Sequence, residues 1–294
     1  MTFRLAHLSD AHIGPIPRPR GRELIGKRLT GYLNWRRRGR IHNMDVLARI
    51  VADLRAQNPD HIAMTGDILN IGLPAEFPFA SAWLETLGDP KDVSFVPGNH
   101  DAYVRSSLAH LETTFAPWTQ ADLVSNQRYP YLRLRDDIAL IGLCSGVPTA
   151  PLLASGKLGP DQRNRFEMAL AEARANGHMR VVMIHHPPHH KGATPGRGLT
   201  DSRHFEALIA KYGAELVIHG HNHRHSIAHI AGPDGPVPVV GVASASAVPG
   251  SERHRAAWHM YEIARQGSKW QIEGTIRGMK GDSEEIVEIG RFAL

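Results

Sequence analysis

The sequence holds one cysteine, Cys144, among 294 residues. A lone thiol excludes an intramolecular disulfide framework and any multi-cysteine zinc cluster. Long apolar runs are also missing: no stretch approaches the roughly 18–20 consecutive apolar residues of a membrane helix. The opening residues Met1–His7 carry no charged-then-apolar leader with a cleavage site. Internal repeats, low-complexity tracts and linker-like stretches are absent, so residues 1–294 are expected to form a single domain. Acidic side chains are outnumbered, 29 against 34 basic ones, for a net charge of +5. Such a balance favours acidic partners in general and names none. Charged residues make up 21% and hydrophobic ones 42%, which argues against global disorder and for a sizeable core. A soluble, cytoplasmic protein is the expectation. Against these absences stand 19 histidines, and their positions carry the argument.

Five segments share one pattern, a short apolar run followed by polar residues suited to chemistry. Residues 3–9 lead into Asp10-Ala11-His12, and residues 61–65 into Gly66-Asp67. Residues 93–97 lead into Gly98-Asn99-His100-Asp101, residues 181–184 into His185-His186-Pro187, and residues 216–219 into Gly220-His221-Asn222-His223. Short apolar runs bounded by Gly or Pro read as buried strands. Helical spacing separates them: Val46, Leu47, Ile50, Val51 and Leu54 share one face, and further helices are expected over 79–87, 161–176 and 205–212. Strands alternating with helices imply an α/β architecture, in which ligands bind beyond the carboxyl ends of the strands. All five polar clusters are therefore expected on one rim. A hairpin is expected around Asp136-Asp137, and five more strands after His223, near 226–230, 237–242, 258–263, 270–276 and 285–289.

The clusters together supply Asp, His, Asp, Asn, His, His and His. Imidazole and oxygen donors without thiolate suit divalent transition metals. Seven donors exceed one tetrahedral site. They fit two ions when one carboxylate bridges them, the arrangement that clamps an in-line displacement at phosphorus.

The order Asp-x-His, Gly-Asp, Gly-Asn-His-Asp, His, Gly-His-x-His, spread over residues 3–245, resembles the calcineurin-like metallophosphoesterase superfamily. The resemblance implies a four-layer αββα sandwich of two mixed β-sheets flanked by helices. It implies two divalent or trivalent transition-metal ions, with Mn, Fe or Zn expected. Carried over position by position, Asp10, His12 and His223 hold the first ion, Asn99, His185 and His221 the second, and Asp67 bridges them. A water or hydroxide between the ions is then the nucleophile. His100 stabilises developing charge or protonates the leaving oxygen, and Asp101 orients His100 or a neighbouring ligand. The His-x-Pro pattern selects His185 over His186, leaving His186 beside the ligands or facing substrate. The implied activity is phosphoric ester hydrolysis, with a phosphodiester favoured. A nucleotide-linked lipid pyrophosphatase of the UDP-diacylglucosamine hydrolase type, and a non-catalytic binding protein on the same fold, are the alternatives.

Outside these motifs, His7 and His219 lie within apolar runs; His7 reads as a core residue, and His219 as a core residue or one that supports the ligands from behind. His189, His190 and His225 read as solvated loop residues, and Ser244 and Ser246 as pocket-shaping. Lys191 and Arg197, in a Gly-rich loop after the fourth cluster, can contact a phosphate. Residues 18–40 form a basic insert in which Arg18, Arg20, Arg22, Lys27, Arg28, Arg36, Arg37, Arg38 and Arg40 face one acid, Glu23. Leu24, Ile25, Leu29, Tyr32 and Leu33 approximate one helical face. Three readings stay open for the insert: a solvated basic face packed by its apolar side on the core, peripheral contact with an anionic membrane surface, and contact with nucleic acid, which is not favoured. Its position directly after Asp10-Ala11-His12 puts it near the metal rim, where it would serve as a substrate lid. The substrate is a small or lipid-linked phosphate ester, and the oligomeric state is open.

Overall fold

The computed structural model describes residues 2–38, 41–122, 128–248, 254–267, 269–281 and 285–294. Arg40 and the side chain of Arg38 lie outside the described residues. One six-stranded sheet contains β1 (Thr2–Leu8), β2 (His61–Met64), β3 (Val93–Phe95), β10 (Ala257–Gln266), β11 (Lys269–Met279) and β12 (Ile286–Ala293), in the order β12-β11-β10-β1-β2-β3. The other contains β4 (Tyr131–Arg135), β5 (Ile138–Gly142), β6 (Met179–Met183), β7 (Leu216–His219), β8 (Ser226–Ile230) and β9 (Val237–Gly241), in the order β4-β5-β6-β7-β9-β8. Both sheets are mixed: β1-β2-β3 and β5-β6-β7-β9 are parallel, and antiparallel strands complete each sheet.

Alternation along the strands fixes which side chains go where, because successive residues point to opposite faces. Leu5 of β1, Val181 of β6 and Ile218 of β7 enter an apolar layer between the sheets, together with Tyr261 and Ile263 of β10. Their neighbours Ala6 and Leu8 join an outer core, as do Val182 and Val217 on the far side of the second sheet. Helices α2 (Met44–Ala56), α3 (Glu76–Leu87) and α4 (Ser107–Thr114) cover the first sheet. Helices α5 (Gly159–Ala175) and α6 (Ser202–Tyr212) cover the second. The result is the expected αββα sandwich. The spacing of Val46, Leu47, Ile50, Val51 and Leu54 is that of the buried face of α2, whose start is capped by the Asn43 side chain accepting from the Asp45 N–H at 2.7 Å. His7 and His219 are buried, as their apolar surroundings in the sequence imply. None of the described helices is long and apolar enough to cross a membrane.

The insert differs from its expectation in one respect. Its helix, α1, spans only Lys27–Arg38, preceded by a short 3-10 turn at Gly21–Leu24 and by Gly26 at φ 78°. That left-handed residue breaks the helix between Leu24 and Lys27, so the five apolar residues do not share a face. Leu24, Tyr32 and Trp35 pack inward on Ile16, Ile71, Leu73 and Tyr103. Ile25, Leu29 and Leu33 stay 78%, 46% and 47% exposed. Two buried cations pin the helix: Lys27 Nζ donates to Thr149 Oγ1 at 2.6 Å, and Arg28 Nε to the Ile71 carbonyl at 3.2 Å.

Candidate metal centre

The five parallel strands β1, β2, β3, β6 and β7 all end on one rim, and each is followed by one of the polar clusters. Five of the residues singled out there, Asp10, His12, Asp67, His221 and His223, have φ between 41° and 68°. Non-glycine residues in the left-handed region cost of order 1–3 kcal/mol each and persist where the surrounding structure over-determines them. Neighbouring glycines make the room. A Cβ on Gly98 would meet the Asp67 carboxylate and the His185 ring, and one on Gly220 would meet Ser9 and the Asp10 carboxylate.

On one side of the rim, Asp10 Oδ1 lies 3.0 Å from His223 Nε2 and 3.9 Å from His12 Nε2. The His12 ring is turned by its Nδ1–H, which donates to the Leu69 carbonyl at 3.1 Å. On the other side, His185 Nδ1–H donates to the Thr65 carbonyl at 2.7 Å. Its Nε2 is left 3.1 Å from Asp67 Oδ2 and 3.3 Å from His221 Nδ1. Asn99 Oδ1 is buried without a hydrogen-bond partner, as is His221 Nε2. Buried polar atoms are normally paired. Orphaned donor atoms beside facing imidazole nitrogens are what a cation would satisfy. Asp67 stands in two candidate ion-holding groups, one with Asp10 and His185 and one with His12 and His100.

Protonation states agree with that chemistry. Burial drives the His12 and His221 rings well below their ordinary pKa, so both are neutral ligand forms. Burial opposes the Asp67 charge, yet the His185 and His100 rings beside it hold its carboxyl well below the usual range. Burial likewise opposes a charged His185, and the Asp67 carboxylate overrides it, raising the ring to about 9. The field at this position favours a cation, whether proton or metal.

His186 is engaged at both ring nitrogens, with Ser145 Oγ at 2.8 Å and the Ala154 carbonyl at 3.2 Å, so it has no lone pair to spare for an ion. His225 is exposed, and His189 is half-buried. Ser244 and Ser246 are buried and donate to the Asp10 carbonyl at 2.7 and 3.3 Å, which fixes the first cluster from behind.

Asp101 acts on a different neighbour from the one expected first. Its buried carboxylate accepts backbone N–H groups of Asp67, Ile68, Leu69 and Gly98 at 2.8–3.0 Å. Burial, with the Asp67 charge nearby, raises its carboxyl to about 7. It holds the loop that presents Asp67 and leaves the His100 ring alone. His100 is oriented instead by its Nδ1, which donates to the Asn70 carbonyl. Buried Glu76, which sequence reasoning passed over, holds the same loop further along by accepting from Asn70 N–H at 2.6 Å and Leu73 N–H at 2.8 Å.

The rim opens into a cavity of about 880 Å³. His12, Asp67, Asn99, His100, His221 and His223 form its floor. Gly31, Asn34 and Trp35 of α1, with Tyr103, form one wall, so the insert is part of the site. Lys191, Arg197 and Arg224 also line the cavity and give it positive charge. His42 also reaches the cavity, close to His12 and His223. It was not among the sequence candidates because it belongs to none of the five strand-end clusters.

The family described as calcineurin-like phosphoesterase matches residues 3–225. A Synechococcus protein named a probable cyclic nucleotide phosphodiesterase is 26% identical over 229 residues, covering 77% of this chain and 80% of its own. The crystal structure of a dimetal phosphatase from Danio rerio superposes with a TM-score of 0.61 at 16% identity, over 98% of each chain. A purple acid phosphatase from yellow lupin seeds gives a TM-score of 0.59 at 12% identity, over all of this chain and 53% of the lupin protein.

Proposed function

The chain belongs to the calcineurin-like phosphoesterase family, whose members are metal-dependent phosphoric ester hydrolases, and from that premise we propose that it hydrolyses a phosphodiester at the strand-end rim. In this reading Asp10, His12 and His223 hold one ion, Asn99, His185 and His221 hold the other, and Asp67 joins them. The observation that carries the reading is the convergence of the ionised Asp67 carboxylate, the neutral His12 and His221 imidazoles and an orphaned Asn99 oxygen in the lining of one cavity. The imidazole–carboxylate set suits Mn, Fe or Zn. When bound, such a pair supplies Lewis-acid polarisation of the phosphoryl group and an activated water. His100, half-exposed at the cavity floor with its Nδ1 committed to Asn70, presents Nε2 to the leaving oxygen as hydrogen-bond or proton donor. Asp101 and Glu76 are positioning residues that keep the 67–73 loop in place.

A diester needs room for a second ester group. A cavity of about 880 Å³, lined beyond the ligand set by Trp35, Tyr103, Lys191, Arg197 and Arg224, supports that reading. The name of the Synechococcus relative favours a nucleotide-like diester. With Mn²⁺ supplied, kcat/KM for bis(p-nitrophenyl) phosphate should exceed that for p-nitrophenyl phosphate by at least about tenfold, roughly 1.4 kcal/mol in transition-state binding. A monoester preference of that size would overturn the assignment.

Residues 1–294 are read as one domain with the insert at about 18–40. Supporting this, C-terminal β10 pairs with N-terminal β1 in register from Thr2↔Ala264 to His7↔His259. The exposed apolar residues Ile25, Leu29 and Leu33, with exposed Arg22, Arg36 and Arg37 near them in the sequence, support peripheral contact with an anionic membrane surface, and a cytoplasmic protein acting there on a lipid-linked ester is the reading that goes with it. Sedimentation with vesicles containing phosphatidylglycerol, lost in the triple variant Ile25→Ser, Leu29→Ser, Leu33→Ser, is the expected result. Equal sedimentation of both proteins would remove the membrane contact from the account.

A further inference from the structure

We propose that His42, delivered by the segment just after the basic insert, is an additional ligand of the ion held by Asp10, His12 and His223. The inference rests on the two-ion reading above and adds a donor that none of the five strand-end clusters contains.

The backbone around His42 is built to place it. Asn43 N–H donates to the Ser246 carbonyl at 2.8 Å, and Val248 N–H to the Ile41 carbonyl at 2.9 Å. His42 and Ala247 form an antiparallel bridge. Residues 41–43, just before α2, are thereby fastened to the segment that backs Asp10. The ring is then fixed by its Nδ1, 2.7 Å from Ser246 Oγ. Ser246 Oγ also lies 3.3 Å from the Asp10 carbonyl, and in the arrangement in which the hydroxyl donates there, Ser246 Oγ accepts from the His42 Nδ1–H. That leaves Nε2 with its lone pair, in a ring that lines the cavity.

His12 and His185 follow the same plan, with Nδ1–H given to a backbone carbonyl and Nε2 turned to the site. Ligating histidines characteristically donate their other N–H in this way. The rings are also close enough. The centroid of His42 lies 4.4 Å from that of His12 and 5.7 Å from that of His223. Coordinating atoms of the three residues lie within 4.8 Å of one another. Two nitrogens bound to one ion at about 2.1 Å are at most about 4.2 Å apart, so a small side-chain adjustment brings all three onto a common ion. A purely structural histidine here would need only its Ser246 bond. It would not need to sit in one group of coordinating atoms with His12 and His223.

The test is Mn²⁺ and Co²⁺ binding by the full-length His42→Ala variant, by competition against a chelator, alongside the visible spectrum of the Co²⁺ form. One of the two sites should weaken at least about tenfold, with the other unchanged, and the Co²⁺ bands should shift. Wild-type affinities and spectrum at both sites would overturn the proposal, including the case in which only KM rises, which would make His42 a substrate contact. Where His42→Ala fails to fold by circular dichroism, His42→Phe keeps the ring volume and removes both nitrogens. It should weaken the same site, and unchanged affinities there count against the proposal. A wild-type protein that binds no metal would sink the two-ion reading itself, a failure distinct from unchanged affinities in a metal-loaded variant.

Discussion

Replacement of Asp67 by Ala is expected to abolish turnover and to remove metal from both positions. The carboxylate is buried between the two histidine groups, with Oδ2 3.1 Å from His185 Nε2 and Oδ1 accepting the His100 N–H at 2.7 Å. It is the negative charge that offsets crowding of cation-binding groups from both sides. Without it, two ions brought to roughly 3.5–4 Å from each other repel with no carboxylate charge shared between them. Loss of several kcal/mol of charge stabilisation corresponds to at least about 10³-fold in rate. Asp67→Asn keeps the shape and removes the charge, so it separates electrostatics from packing and should fail almost as badly. Metal analysis of the purified variants, read beside hydrolysis of a diester, checks this. Full activity in Asp67→Ala would remove the bridging role.

His100→Ala should behave differently. Both ions should remain, while the rate falls by roughly 10²–10⁴, the usual scale for a lost general acid. The reason is positional. The backbone N–H of His100 serves Asp67 and survives the substitution, whereas the ring serves the cavity. Its Nδ1 is occupied by the Asn70 carbonyl, so Nε2 is the atom lost to the substrate side. If the ring protonates the leaving oxygen as proposed, the defect should shrink for substrates with acidic leaving groups such as nitrophenol, and grow for alkyl esters. Collapse of the metal content in His100→Ala would instead make the ring a ligand.

These expectations depend on features that were legible to different degrees in the amino-acid sequence. The strands before the clusters were readable because each is a short, largely apolar run closed by Gly, Pro or a charged residue, and burial on both faces leaves few polar interruptions, His7 and Ser94 among them. The rim followed from connectivity, since parallel strands place all their following loops at one end. The choice of His185 over His186 rests on a pattern in the sequence. The structure adds that His186 is occupied by Ser145 and Ala154.

What the sequence hid was mostly tertiary. Nothing local marks Asp101 as the acceptor for four backbone N–H groups, three of them from a loop more than thirty residues away. Glu76 escaped notice for the same reason, since its partners are main-chain atoms. Helical periodicity placed Leu24 and Ile25 on one face with Leu29 and Leu33, but Gly26 interrupts the helix and sends Leu24 inward. His42 carried no local motif. Its proximity to His12 and His223 depends on pairing with residues 246–248, some two hundred positions distant.

The central claim is that two ions sit on this rim and share Asp67. Anomalous diffraction from crystals of the Mn²⁺-loaded protein tests it most directly. The account predicts two peaks about 3.5–4 Å apart, one among Asp10, His12 and His223, the other among Asn99, His185 and His221, with the Asp67 carboxylate touching both. A single peak, or a pair away from Asp67, would contradict it.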